Sequence, residues 1–482
     1  MNNPFIEIMK PYFSMLESMV GHLADEATKH NVDPPDLVRD FLRDKKMEEL
    51  VNSVLLPRLS GYCVKFWKDN FTLVEREIAD LPGLRSMFGG DIGPQAKNKL
   101  YQRTGSYFDT VIVSDPVLRS IVNPQFQRHR NYYVLKFAVN LVLSKGMYLC
   151  ESYPPIAVLR GEPHMFGPDE DYYRELSFVS EIDTVLATNR IFGKSFETFV
   201  EAQAFFAKAN SDDEALSEIV EPESFILIGE IPHDPSAQLM DMDRELKLHI
   251  DEDLLPTHMK GPVRILSSIH HRMMQVNDLL RNSSRSKANP IIQAPVSFHW
   301  LTIKLETNAP LLEDVLDSRL RTELPVTNAL LSSRLDWLSN IELNDLERMR
   351  GVGFLPELRE IISQNIKLVT LSNLDDLERF ARQADLNINS ALNKHQQEIQ
   401  KSVNTNLDEI VALTPAMLAT VGGSFLPLIG ILPDWLPATI FAAGGLVTLK
   451  DLVPKIQRLR REREEFSKSP MGILWNAREN SL

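Results

Sequence analysis

From Ile410 to Leu449 the chain runs for 40 residues with a single charge, Asp434. This stretch constrains the fold more than any other feature. Apolar surface left in water costs ~25 cal/mol per Å², so whatever covers the stretch must itself be apolar: the protein's own interior, or lipid. Pro433-Asp434-Trp435-Leu436-Pro437 reads as a turn between two arms, 416–432 and 438–453. Arms of 17 and 16 residues fall short of the ~20 that a spanning helix uses, and Pro427 interrupts the first. Gly422-Gly423 and Gly444-Gly445 allow close approach of the arms, as small residues do between membrane helices and equally between helices buried in water. The residues expected to meet lipid or a partner protein are Leu418, Val421, Gly422, Gly423, Phe425, Leu426, Leu428, Ile429 and Leu432 in the first arm. Trp435 and Leu436 join them at the turn, and Ile440, Phe441, Gly444, Gly445 and Leu446 in the second arm.

The flanks suggest how such a hairpin is used. Lys450, Lys455, Arg458, Arg460 and Arg461 follow it and form a candidate contact for an anionic membrane surface. Trp435 is an interfacial aromatic at the opposite end. Asp451, Glu462, Glu464 and Glu465 dilute the basic cluster, and alternating charge is also ordinary on a solvated helix. Upstream, Leu374, Leu377, Ala381, Ala384, Ile388, Ala391, His395, Ile399, Val403, Leu407 and Ile410 recur at three- and four-residue steps. An unbroken helix over 374–413 would be about 60 Å long at 1.5 Å per residue, although Asn387, Asn389 and Asn393 weaken its propensity. Its narrow stripe suits a core-facing helix, with self-association or a partner helix as the sharper alternative.

In hydropathy this arrangement resembles pore-forming colicin domains, in which a soluble helical bundle hides an uncharged helical hairpin. It is also similar to the two-helix membrane modules attached to bacterial antiviral effectors. The similarity covers about 40 residues and rests on hydropathy alone. It implies a bacterial, toxin-like or antiviral-defence protein that exposes its hairpin on a trigger. The tail Ser469-Pro470-Met471-Gly472-Ile473-Leu474-Trp475 resembles endings of bacterial proteins.

The rest of the chain reads as mainly α with a small central α/β (α+β) region. Phe5, Ile8, Met9, Tyr12, Met15, Leu16, Met19, Val20 and Leu23 mark one helix face. Further helices are expected from Pro34 to Leu42, Met47 to Leu56 and Val64 to Ile78, followed by a loop at Pro82-Gly83 and Gly89 to Pro94. Apolar runs bounded by Pro or Gly predict strands at 108–113, 154–159, 225–231 and 296–305, with helices over 132–143, 172–187 and 195–209 between them. The expected divisions are 1–107 helical, 108–309 mixed, 310–413 helical with the long amphipathic helix, and 414–482 hairpin and charged tail. Ser or Asn before an acidic first turn signals helix starts near Leu338-Ser339-Asn340 and Leu371-Ser372-Asn373.

Chemistry is sparse by motif. No P-loop, G-x-G-x-x-G, H-E-x-x-H, G-x-S-x-G or C-x-x-C pair occurs, and no cofactor is expected. His249, Asp251, Glu252, Asp253 and His258 are the nearest approach to a zinc set, but Pro256 interrupts them and a solvated acidic turn is the plainer reading. Asp109 and Asp115 bracket a strand, where α/β folds place carboxylates, yet Asp115-Pro116 is first a turn signal. Glu162-Pro163-His164 is a weak acid/base pair. Arg281, Arg285 and Lys287 form the most basic loop of the middle region. With a net charge of −14 overall, they read as solvated rather than as a nucleic-acid contact. Cys63 and Cys150 cannot make a disulfide framework and read as core residues of a protein made in a reducing compartment. The start shows no secretory pattern, so a cytoplasmic location is expected, peripheral to or inserting into a membrane. The leading function is a non-enzymatic membrane-associating effector or sensor. A soluble scaffold or subunit with a buried hairpin is the alternative, and an enzyme with an unrecognised site in 108–305 is third.

Overall fold

β1 (Arg85–Gly89), β2 (Thr110–Ser114), β3 (Ile156–Leu159) and β4 (Asn289–Ile292) pair in parallel in the order β3-β2-β1-β4. The register sets Ser86 beside both Val111 and Asn289, and Val111 beside Ile156. Every residue of the two four-residue strands is buried, and so are the first four of β1 and β2. Alternate residues point to opposite faces, so both faces are covered.

These elements belong to a computed structural model that describes residues 3–89, 102, 104–122, 129–150, 155–160, 170–228, 234–249, 261–292, 295–307, 333–363, 382–394, 397 and 468–479. The chain divides into two compact units, residues 1–333 with 366–381 and residues 334–365 with 382–482. The chain is mainly α with a small α/β region, as the sequence predicts, and among the described residues the sheet is parallel throughout.

In the first unit, α1 (Pro4–His30) starts where Asn3 accepts the Phe5 amide at 3.0 Å and Pro4 supplies a ready first turn. It stops at Asn31, whose φ of 50° is a left-handed cap. α2 (Pro34–Arg43) and α3 (Lys45–Leu50) follow, then a π turn at Val51–Leu55 that runs into α4 (Leu56–Ala79). After β2 come α5 (Pro116–Val122), α6 (Arg130–Leu143) and α7 (Lys145–Tyr148). α1 packs on α6, while α4 and α7 pack on β3. Between β3 and β4 lie α8 (Glu170–Phe192), α9 (Phe199–Lys208), α10 (Asp212–Leu216), α11 (Pro235–His249) and α12 (Val263–Arg285). α13 (Pro295–Thr307) follows β4. α12 packs on β1 and β4, so tightly that a Cβ at Gly89 would meet Leu279 at 2.5 Å.

The strands expected at 108–113 and 154–159 are β2 and β3. Two others are corrected. Val296–Leu305 is helical within α13: Pro295 opens it, and an apolar run buried on most sides does not distinguish strand from helix. Phe225, Ile226 and Leu227 are buried but not in a strand. Side chains serve their backbone instead. Trp300 Nε1 donates to Ile226 O at 2.7 Å, Gln238 bonds both Leu227 N and Phe225 O at 2.7 Å, and Arg272 reaches Leu227 O. The strands missed are β1, hidden between glycine-rich turns, and β4, whose Pro290 is tolerated on an edge strand. Arg281 and Arg285 stand on α12, not in a loop.

The second unit contains a 3₁₀ segment, Ser333–Asn340, running into it, then α14 (Leu343–Gly351) and α15 (Leu355–Ser363). α16 (residues 382–394) and α17 (Pro470–Glu479) complete its described part. α16 is the described piece of the expected 374–413 helix, with Ala384, Asn387, Ile388 and Leu392 buried. Asn387 is accommodated because its amide donates to Ile362 O at 3.3 Å. α14 begins after Glu342, which makes no side-chain cap bond, so Asn340 is not the cap the sequence suggests.

Candidate functional site

The hairpin residues Leu418 to Leu446 and the basic residues Lys450 to Arg461 lie outside the described residues, as do Ser372, Glu162 to His164 and Asp251 to His258. What the structure gives is the anchorage on either side. α17 packs on α14 with Ile473, Leu474 and Ala477 buried. Asn340 Nδ2 donates to Ala477 O at 3.2 Å, the Arg478 guanidinium lies 5.8 Å from the Trp337 ring, and Arg478 Nη1 is 4.0 Å from Asp385 Oδ1 of α16. Among the described residues, no helix is long and apolar enough to cross a membrane.

The first unit holds two buried polar centres. Asp115, at the carboxyl end of β2, is fully buried. Its Oδ2 accepts Tyr12 Oη and Trp67 Nε1, each at 2.5 Å, and its Oδ1 accepts the Val117 and Leu118 amides at 2.9 and 3.1 Å. The last pair makes Asp115 the cap of α5, with Pro116 in the first turn. Burial pushes its carboxyl above the ordinary range, against the pull of those four hydrogen bonds. Burial, then the Asp115 charge, hold the Tyr12 and Tyr148 phenols well above theirs. The Cys63 thiol, 3.9 Å from Tyr12 Oη, is raised for the same two reasons, so it is a protonated core group rather than a nucleophile. All four acceptor positions of the carboxylate are taken by the fold; the arrangement fastens α1 and α4 to the sheet. Asp109 is also structural: its Oδ2 accepts the Leu84 amide at 2.6 Å, packed against Gly83, whose φ of 82° and lack of a Cβ leave room for it.

The second centre joins α8, α12 and α13. Asp183 Oδ2 accepts Lys304 Nζ and Asn277 Nδ2, both at 2.6 Å, and Asn277 also donates to Ser180 Oγ at 3.0 Å. Asp183 and Lys304 are 2% and 7% exposed, which only a paired charge tolerates. Sequence reasoning did not single out either residue. α8 buries Ser180, Asp183, Thr184 and Thr188 among Leu176, Val185, Ala187 and Ile191, and exposes Phe178, Val179 and Ile182, so its sequence shows no ordinary amphipathic face.

The basic residues of the middle region are paired. Arg281 meets Glu175 at 2.9 Å, Arg285 meets Glu75 at 2.8 Å, and Lys287 lies 3.6 Å from Asp80. His249 ends α11. Among the described residues no group of three or more His, Cys, Asp or Glu is placed to hold a metal ion. Cys63 is buried and Cys150 half-buried, both free thiols. No protein-family model, curated protein or solved structure matches this chain.

Proposed function

We propose that this chain is a membrane-associating effector or sensor of the toxin-like or antiviral-defence type, which acts without enzymatic chemistry by exposing residues 410–449 on a trigger. The observation that carries the reading is the 40-residue stretch with Asp434 as its one charge, which demands an apolar surrounding. The basic run Lys450 to Arg461 supports an anionic surface as its destination. Flotation with phosphatidylglycerol vesicles tests the proposal. The triggered protein is expected to float, and Gly422→Arg, which sets a charge in the first arm, to lower the floated fraction several-fold. Protein that stays in the soluble fraction under every trigger, partner binding included, removes the support.

One observation favours a second reading, a soluble scaffold or subunit whose hairpin is core or a partner interface. The arms between prolines are 17 and 16 residues long, a length common in buried helices. That reading predicts no flotation, and a hairpin resistant to protease until the whole protein unfolds.

A further inference from the structure

Between Asp115 and Glu151 the chain carries no acidic residue, while it holds Arg119, Arg128, His129, Arg130, Lys136 and Lys145. In a chain with a net charge of −14 this is a locally basic stretch, and Tyr132, Tyr133 and Phe137 are set among its cations. α6 gathers them. Tyr132 and Tyr133 are half-buried near its start, with ring centroids 5.3 Å apart. Lys136 Nζ lies 5.9, 6.0 and 5.2 Å from the centroids of Tyr132, Tyr133 and Phe137.

Lys145 is answered by Glu17 at 2.6 Å, as Arg281, Arg285 and Lys287 are answered by their carboxylates. Lys136 is not. Among the described residues it has neither an ion pair nor a hydrogen bond, and burial alone draws its amine below the ordinary lysine range. Arg130 gives Nη2 to Ile121 O and, among the described residues, meets no carboxylate. His129 is exposed beside it. A cation held part-way out of water against rings, without a counter-charge, is stabilised by an anion that arrives from outside.

We propose that the first two turns of α6 bind single-stranded nucleic acid, with Arg130 and Lys136 on backbone phosphates and Tyr132 and Tyr133 as faces on which bases stack. Proteins that hold single strands without sequence preference combine a basic track with aromatic platforms, because every base has a π-face. The phosphate contacts supply affinity and make it salt-dependent. A strand suits α6 better than a bilayer does: among its described side chains none is an exposed large apolar group that could enter lipid. This contact needs nothing from residues 410–449 and goes beyond the membrane reading.

The test titrates a fluorescein-labelled oligothymidylate of about 20 nucleotides, longer than one site, with the full chain and reads fluorescence anisotropy between about 50 and 200 mM salt. The wild-type chain should bind, and more weakly as salt rises. Lys136→Gln should lower affinity and flatten the slope of log K against log salt by about 0.7, the share of one phosphate contact on a single strand. Tyr132→Leu should lower affinity at least about fivefold and leave the slope as it is, since stacking releases no counterions. Both variants are taken with the melting transition retained; if Tyr132→Leu does not fold, the slope of Lys136→Gln decides. No binding by the wild type at the lowest salt overturns the proposal, as does binding that folded variants leave intact. Flotation of the same variants with phosphatidylglycerol vesicles is read separately. Loss of flotation in Lys136→Gln with oligonucleotide binding unchanged assigns the surface to lipid and overturns the proposal as well.

Discussion

Tyr12 and Asp115, 103 residues apart in the chain, share a 2.5 Å hydrogen bond in the interior of the first unit. Through that bond the first helix is fastened to the end of the second strand, and Trp67 fastens α4 to the same oxygen. Hydrogen bonds to a charged acceptor contribute about 1.5–3 kcal/mol. Tyr12→Phe, which leaves the ring and its contact with Phe66 in place, should lower unfolding stability by about that amount in urea. Asp115→Ala should cost more, since it strands two buried side-chain donors and two amides. Equal, sub-kcal/mol losses for both would show that the carboxylate is not the fastening point.

The same carboxyl gives a signed pH dependence. Its folded-state pKa is raised, so between the ordinary value of about 3.9 and the raised one the folded protein holds the proton more firmly than the unfolded chain. Its contribution is fully present below the ordinary value and is lost as pH rises through the raised one. Urea midpoints of wild type and Asp115→Asn across pH 3.5–7 report it: wild type minus variant should fall as pH rises. A difference that grows with pH would contradict the account.

Lys304 and Asp183 make a buried pair at 2.6 Å. Breaking such a pair from one side costs about 3–5 kcal/mol, because the remaining charge is left buried, whereas replacing both partners with apolar groups is often near neutral. Lys304→Met alone should therefore destabilise strongly, and adding Asp183→Leu should recover much of the loss. A double-mutant cycle measures the coupling; additive losses would argue that the pair is hydrated in solution.

Gly89 gives a steric prediction. A Cβ there would meet Leu279 Cδ2 at 2.5 Å, so Gly89→Ala should cost about 1–3 kcal/mol by overpacking, and Leu279→Ala should relieve part of it. Thermal melts of the two single variants and the double variant test this.

How much of this could be read from sequence depends on the reach of each interaction. Local signals worked: the apolar face from Phe5 to Leu23 is α1, Pro34 opens α2, and the β-branched run before Asp115-Pro116 is β2. Asp115 itself was legible as a turn signal at a strand end. Its burial was not, because its partners Tyr12 and Trp67 lie 103 and 48 residues upstream. Phe225–Leu227 has the composition of a strand, but Trp300, Gln238 and Arg272 serve its backbone. Asp183 sits on the inner face of a helix that also exposes Phe178, Val179 and Ile182, which blurs the pattern that marks a core. The anchorage of α17 joins Asn340, Asp385 and Arg478, which only the fold brings together.

The central claim is that residues 410–449 are sheltered from water by something apolar. Hydrogen exchange of the full chain, followed peptide by peptide through this stretch, measures it directly. Backbone amides in 410–449 should exchange far more slowly than those of an unstructured chain. Exchange at the unstructured rate across the whole stretch in the wild-type protein would contradict the account.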